Sequence, residues 1–166
     1  ECRYPDTGWV EQDAEAIWET QRNTIVKVLD QAGIGLSEVS AIGITNQRES
    51  TIAWNRETGE ALCPAINWPC RRTAGFCDEL KEEGFDELIR NRTGLVTDPY
   101  FSGTKMHWIL QNVPEAANLA RQGKLCFGTV DSWLIWKLSG GKTHAIELSN
   151  ASRTLVFDIQ KCEWDS

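Results

Sequence analysis

Arg48 and Glu49 stand side by side in Asn46-Gln47-Arg48-Glu49, a polar break between the apolar runs Ala41 to Thr45 and Ser50 to Asn55. A guanidinium offers a fork of five N–H donors and an ionised carboxylate only accepts, so the pair suits hydroxyl groups, each of which both donates and accepts. Successive side chains of an extended strand face opposite sides, and the two can serve one site only where a strand bends or ends. The residues alone leave two readings open: a hydroxyl-binding pair, or a solvated turn whose two exposed charges contribute little.

Two aromatic residues occupy comparable corners. Trp68 precedes Pro69 in Asn-Trp-Pro-Cys-Arg-Arg-Thr, where its flat face could cover the C–H side of a small polyol or simply pack into a core. Tyr100 follows the Pro-fixed turn Asp98-Pro99 just ahead of a helix for which Ser102 is a candidate N-cap; its hydroxyl could serve a site mouth, or its ring could pack. Arg71 and Arg72 open a helix against its dipole, which asks for an acidic partner or an anion for one of them; Lys105, in the first turn of the helix that follows Tyr100, asks for a partner such as Asp98 or Asp131.

Other chemistries find no support. Ser139-Gly-Gly-Lys-Thr-His144 resembles the end of a phosphate-binding loop, but the required earlier glycine is Trp136 and a helix precedes it. Gly33-Ile-Gly35 lacks the third glycine of a dinucleotide fingerprint and precedes a strand. Six cysteines form no C-x-x-C pair, and His107 and His144 do not share a helical face, so no metal site is indicated. Seventeen basic against 24 acidic side chains give a net charge of -7, which disfavours nucleic acid and anionic membranes. Without a leader or a spanning stretch the cysteines read as reduced thiols of a cytoplasmic protein. Eight tryptophans in 166 residues leave room for some on a ligand surface.

The elements that must position these residues follow from periodicity. Asp13 as N-cap, Glu15 in the first turn and Ile17, Trp18, Ile25, Val28 and Leu29 at helical spacing predict a helix over 14–32 that stops at Gly33. A meander of strands is expected next: Val39 to Thr45, Ser50 to Asn55, and an extended stretch from Ala61 to Trp68 beyond the turn Arg56-Glu-Thr-Gly-Glu60. Helices are predicted over about 71–83, 85–92 and 103–112 and from Pro114 to Arg121. A buried strand at 124–128 then leads into a helix capped by Thr129 and ended by Gly140 and Gly141, and a short strand is expected at Thr154 to Phe157. With 41% hydrophobic residues and no repeat or linker, one domain is the economical reading.

Six stretches occur in the order found in one known family: Gly-Trp-Val-Glu-Gln-Asp at 8–13, Gly-Ile-Thr-Asn-Gln-Arg-Glu-Ser at 43–50, Trp-Pro-Cys-Arg-Arg-Thr at 68–73, Thr93 to Lys105, Phe127 to Leu138, and Asn150 to Asp158. Through nearly its whole length the chain resembles the FGGY carbohydrate kinases; Tyr100 to Asn112 fits that family's signature of an aromatic followed by Ser, Lys and Trp. The resemblance implies an α/β fold, a partial ribonuclease H-like (actin-like ATPase) domain with a mixed sheet and flanking helices. It implies that residues 1–166 are an incomplete N-terminal domain, lacking the start of that domain and the whole C-terminal domain.

Asn46 to Glu49 resembles the branch of the family that acts on glycerol. The resemblance therefore implies a parent protein that transfers the terminal phosphoryl group of ATP to glycerol, giving sn-glycerol 3-phosphate, while this piece alone is inactive. It implies that Arg48, Glu49 and Tyr100 hydrogen-bond glycerol and that Trp68 forms a wall against its carbons. No catalytic, cofactor or metal residue is expected within 1–166, because ATP and Mg2+ would be bound mainly by regions outside it. The full-length protein is expected to be a cytoplasmic homo-oligomer without nucleic acid or membrane insertion. Pro69, where glutamine is frequent in that branch, would alter the tilt of Trp68, and Ile146-Glu147 replaces a usual Thr-Asp. Alternatives are another FGGY sugar or polyol kinase, an actin-like regulatory ATPase, and a non-catalytic carbohydrate-binding module of the all-β kind.

Overall fold

Alternating apolar residues in the sequence Thr51-Ile-Ala-Trp54 divide the interior into two, because an extended strand sends them to opposite faces. The structure, a computed structural model describing residues 1–165, contains in chain order β1 (Cys2–Arg3), β2 (Glu11–Gln12), α1 (Ala14–Ala32), β3 (Ile52–Asn55), β4 (Ala65–Ile66), α2 (Ala74–Glu82), α3 (Asp86–Thr93), α4 (Ser102–Asn112), α5 (Pro114–Arg121), β5 (Leu125–Gly128), α6 (Val130–Leu138), α7 (Leu148–Ala151), β6 (Phe157–Asp158) and β7 (Glu163–Trp164). Ile52 and Trp54 pack with Ala14, Ala65, Cys126, Trp133 and Trp136 on one face of β3. Ala53, on the other face, joins Val10, Ile66, Cys70, Ile109 and Ala116. The Trp54 indole meets Trp133 edge-on at a centroid distance of 5.4 Å, an arrangement its quadrupole favours.

The predicted helix over 14–32 forms at those limits: the Asp13 carboxylate accepts from the Ala16 N–H at 3.1 Å, and Gly33 closes it in the left-handed region, where glycine carries no Cβ penalty. Its apolar stripe is covered only at the start. Ala14 is buried and Ile17 packs on the core, whereas Val28 is 56% exposed because no element among the described residues lies over that turn. Pro114 begins α5 as expected, its missing N–H costing nothing in a first turn. Phe101, not Ser102, is the N-cap residue of α4, and Thr129 is the N-cap residue of α6 but gives its hydroxyl to the Asp131 carboxylate instead of capping the main chain.

The strand meander is half present. Around the turn at Gly59, Asn55 and Leu62 donate to Glu60 and Ala53, and Thr51 and Ile66 exchange both main-chain hydrogen bonds at 2.9 Å, so 51–55 and 61–66 form a loose hairpin. Residues 39–45 are not a strand: they carry no regular structure, Ile42 is half exposed, and among the described residues none supplies the ladder partner a strand needs. The partner of β3 is instead β5, antiparallel, with Ile52 opposite Gly128 and Trp54 opposite Cys126. The other pairings, β1 with β2, β2 with β4 and β6 with β7, are antiparallel too, so the expected mixed sheet is represented among the described residues by short antiparallel ladders. The final strand lies at Phe157–Asp158, later than the predicted 154–157, because Leu155 takes a positive φ of 66° that interrupts extension.

Candidate functional site

A cleft of 270 Å³ is lined by Asn46, Gln47, Arg48, Glu49, Trp68 and Tyr100. The four residues singled out for hydroxyl and C–H recognition thus share one wall system, although they come from three separate turns. The turn of residues 46–49 feeds into β3. Ile66, whose main chain pairs with Thr51, leads into Asn67 and Trp68, and this pairing sets Trp68 beside Glu49. Asn67 fixes the corner further, its side-chain oxygen accepting from the Ser50 hydroxyl and from the Trp68 N–H, both at 2.8 Å. On the opposite side the Asp98 carboxylate accepts the Tyr100 N–H at 2.8 Å, an Asx turn that aims the phenol at the indole. The Trp68 and Tyr100 rings lie 5.6 Å apart at an interplanar angle of 60°.

The two charges are not equivalent. Arg48 is exposed, has no acidic partner among the described residues, and borders both this cleft and a neighbouring one lined by Asn46, Asp131, Glu147 and Asn150. Glu49 is buried, and its Oε1 accepts from Nε of Arg153 at 2.7 Å while Oε2 meets no protein donor among the described residues. The Arg153 guanidinium also lies over the Phe101 and Tyr100 rings, at 4.8 and 5.7 Å, so one side chain braces both the carboxylate and the phenol. Neither type nor spacing announced this: Arg153 is 104 residues from Glu49, and the only signal was its place in the family-like stretch 150–158.

Gly103 explains how that stretch reaches the cleft. A Cβ at this first-turn position of α4 would stand 2.7 Å from the Thr154 carbonyl and 3.1 Å from Cβ of Leu155. Gly103→Ala is therefore expected to push the loop carrying Arg153 outward and to lower stability by about 2 kcal/mol, the usual overpacking cost, read as a lower midpoint in urea unfolding.

The remaining predicted charges resolve as structural partners. Arg72 pairs with Glu11 at 2.6 Å and is sandwiched between Trp9 and Trp108, and Arg71 reaches Asp98 at 3.5 Å. Lys105 meets neither Asp98 nor Asp131 in an ion pair; it donates to three main-chain carbonyls, and burial pulls its pKa down to about 7. Asp131 is instead surrounded by neutral donors, Thr129, Asn46 at 3.1 Å and Asn150 at 3.0 Å. Glu147 starts α7, and the Ser149 hydroxyl and N–H that it accepts hold its pKa below the ordinary value.

Trp54, Trp133 and Trp136 serve the core, while Trp68 is 37% exposed at the cleft. All six cysteines are free. Among the described residues no helix is long and apolar enough to cross a membrane, and no cluster of three or more carboxylate, imidazole or thiol groups could hold a metal ion.

The described residues form an α/β domain with a cleft lined by charged and aromatic side chains, and their seven α-helices set it apart from all-β carbohydrate-binding modules. All 166 residues match the N-terminal domain of the FGGY family of carbohydrate kinases, and the chain belongs to that family. It is 54% identical over 162 residues to a glycerol kinase of Treponema denticola and 56% identical over 162 residues to glycerol kinase 2 of Thermotoga maritima. Both alignments take in 98% of this chain and 33% of the relative, so the chain spans about a third of the length of the curated relatives it matches. The crystal structure of Plasmodium falciparum glycerol kinase with ADP superposes with a TM-score of 0.92 at 34% identity, covering 100% of this chain and 33% of that one. A ligand-bound xylulose kinase from Lactobacillus acidophilus superposes at 0.85 over 100% of this chain and 32% of its own, but at 19% identity it speaks for the fold alone.

Proposed function

We propose that these residues form the acceptor-binding part of an ATP-dependent glycerol kinase that produces sn-glycerol 3-phosphate. The observation that carries the reading is the convergence of Arg48, Glu49, Trp68 and Tyr100 on one cleft. Glu49 Oε2 accepts a hydrogen bond from one glycerol hydroxyl, the Arg48 fork donates to neighbouring hydroxyl oxygens, and the Tyr100 hydroxyl donates or accepts at the rim. The Trp68 face covers the carbon chain and excludes water from one side. Such a grip orients one terminal hydroxyl and removes its rotational freedom, which is the main task in phosphoryl transfer.

ATP with Mg2+ supplies the phosphoryl group when bound, held by parts of the polypeptide beyond these residues; the proton acceptor for the attacking hydroxyl lies there as well. The names of the relatives at 54–56% identity support glycerol over other acceptors. A coupled assay of ADP formation tests the proposal: the full-length gene product turns over with glycerol, and the 166 residues alone give no ATP-dependent turnover. Turnover by the short chain would refute the division of labour, and a full-length protein inert toward glycerol would refute the acceptor.

A further inference from the structure

Lys105 lies in the first turn of α4 and is completely buried. Its ammonium faces the carbonyls of Tyr100 at 2.5 Å, Glu49 at 3.1 Å and Phe101 at 3.4 Å. An ammonium has three N–H groups and no acceptor, so three carbonyls use its donors fully. The Glu49 carbonyl belongs to the turn that presents Arg48 and Glu49, and the other two belong to the turn that presents the phenol. Those turns are about fifty residues apart in the chain, and Ser102 adds one weak link, from its hydroxyl to the Glu49 carbonyl at 3.4 Å.

We propose that Lys105 is a positioning residue for the acceptor: its three N–H groups fasten the Arg48–Glu49 turn to the Tyr100 turn and so set the width of the polyol cleft. This rests on the kinase reading above. Burying an ammonium without a carboxylate partner is costly, and a packing role alone would be filled as well by an apolar residue of the same length. The carbonyl cage is what methionine could not reproduce. The titratable groups facing the amine are the thiols of Cys70 and Cys77 and the carboxylates of Glu49 and Asp98, none of them an ion-pair partner.

Deprotonation has a defined effect here. Burial lowers the pKa from 10.5 to about 7, and the neutral amine keeps two N–H groups for three carbonyls. Because the folded-state pKa lies below the unfolded one, the unfolded chain binds more protons between those values, and this group's contribution to stability rises with pH across the interval. A glycerol KM that worsens over the same interval therefore reports the lost N–H and not unfolding.

The test is steady-state kinetics of the full-length protein and of Lys105→Met, with glycerol and ATP varied separately. The expected result is a glycerol KM raised at least about tenfold in the variant, with the ATP KM within about twofold, the pattern of lost acceptor binding. In the wild type the glycerol KM climbs between pH 7 and pH 9 while the ATP KM stays level, and Lys105→Met lacks the climb. A folded variant with an unchanged glycerol KM overturns the proposal. Should the variant fail to fold, the wild-type pH profile decides, and a flat one overturns it. If the wild type ignores glycerol but phosphorylates xylulose or gluconate, the glycerol reading falls and the Lys105 proposal is judged on the KM of that acceptor; a wild type inert toward all three overturns both.

Discussion

Arg48→Ala and Glu49→Ala each raise the glycerol KM of the full-length protein at least about tenfold. A hydrogen bond to a charged group contributes about 1.5 to 3 kcal/mol, and 1.4 kcal/mol corresponds to a factor of ten. A site built to bond hydroxyls loses more than the bond when one partner goes, because the substrate hydroxyl is left desolvated and unmatched. Arg48 gives the cleaner measurement. Its side chain is exposed and forms no ion pair among the described residues, so its loss leaves the melting temperature unchanged while glycerol binding suffers. Glu49→Ala also strands Arg153, and its kinetic effect is expected together with a fall in stability. Steady-state kinetics at saturating ATP read both, and an unchanged glycerol KM in either folded variant contradicts the assigned role.

Arg153→Ala lowers stability by about 3 kcal/mol, near the low end of the cost of breaking a buried pair because the guanidinium is partly wet. The Glu49 side chain is only 4% exposed, so deleting its partner leaves a carboxylate in a poorly solvated place. Urea unfolding followed by tryptophan fluorescence measures the loss. The double variant Arg153→Ala/Glu49→Gln is expected to recover much of it, since removing the charge removes the penalty. A single variant as stable as wild type would mean that solvent already supports Glu49 and that the pair at 2.7 Å contributes little. The same variant also loses the cation over Tyr100 and Phe101, so its glycerol KM rises even where it folds.

Local physics made much of this legible in advance. Asp13 and Gly33 mark the ends of α1 because capping is decided by one or two residues, and Pro114 marks the start of α5 for the same reason. The segment 39–45 has the apolar content of a strand, but a strand is defined by its neighbour, and no reading of one segment can supply a ladder partner. The pairing of β3 with β5 likewise joins residues 70 to 76 apart, which periodicity does not reach. At the cleft, the adjacency of Arg48 and Glu49 at a break was readable as a hydroxyl-binding pair or as a solvated turn. Their support was not. Arg153 and Lys105 act through contacts 104 and 56 residues distant in the chain, and the dipole argument that asked for an acidic partner for Lys105 overlooked main-chain carbonyls as acceptors.

A crystal of the full-length protein grown with 3-bromopropane-1,2-diol, a triol mimic with an anomalous scatterer, tests the convergence most directly. The account predicts one bromine peak in the cleft, with the diol in contact, within about 4 Å, of Arg48, Glu49, Trp68 and Tyr100 together. A peak instead in the apolar cavity bordered by Met106, Phe127 and Val156, with the cleft empty, would contradict it.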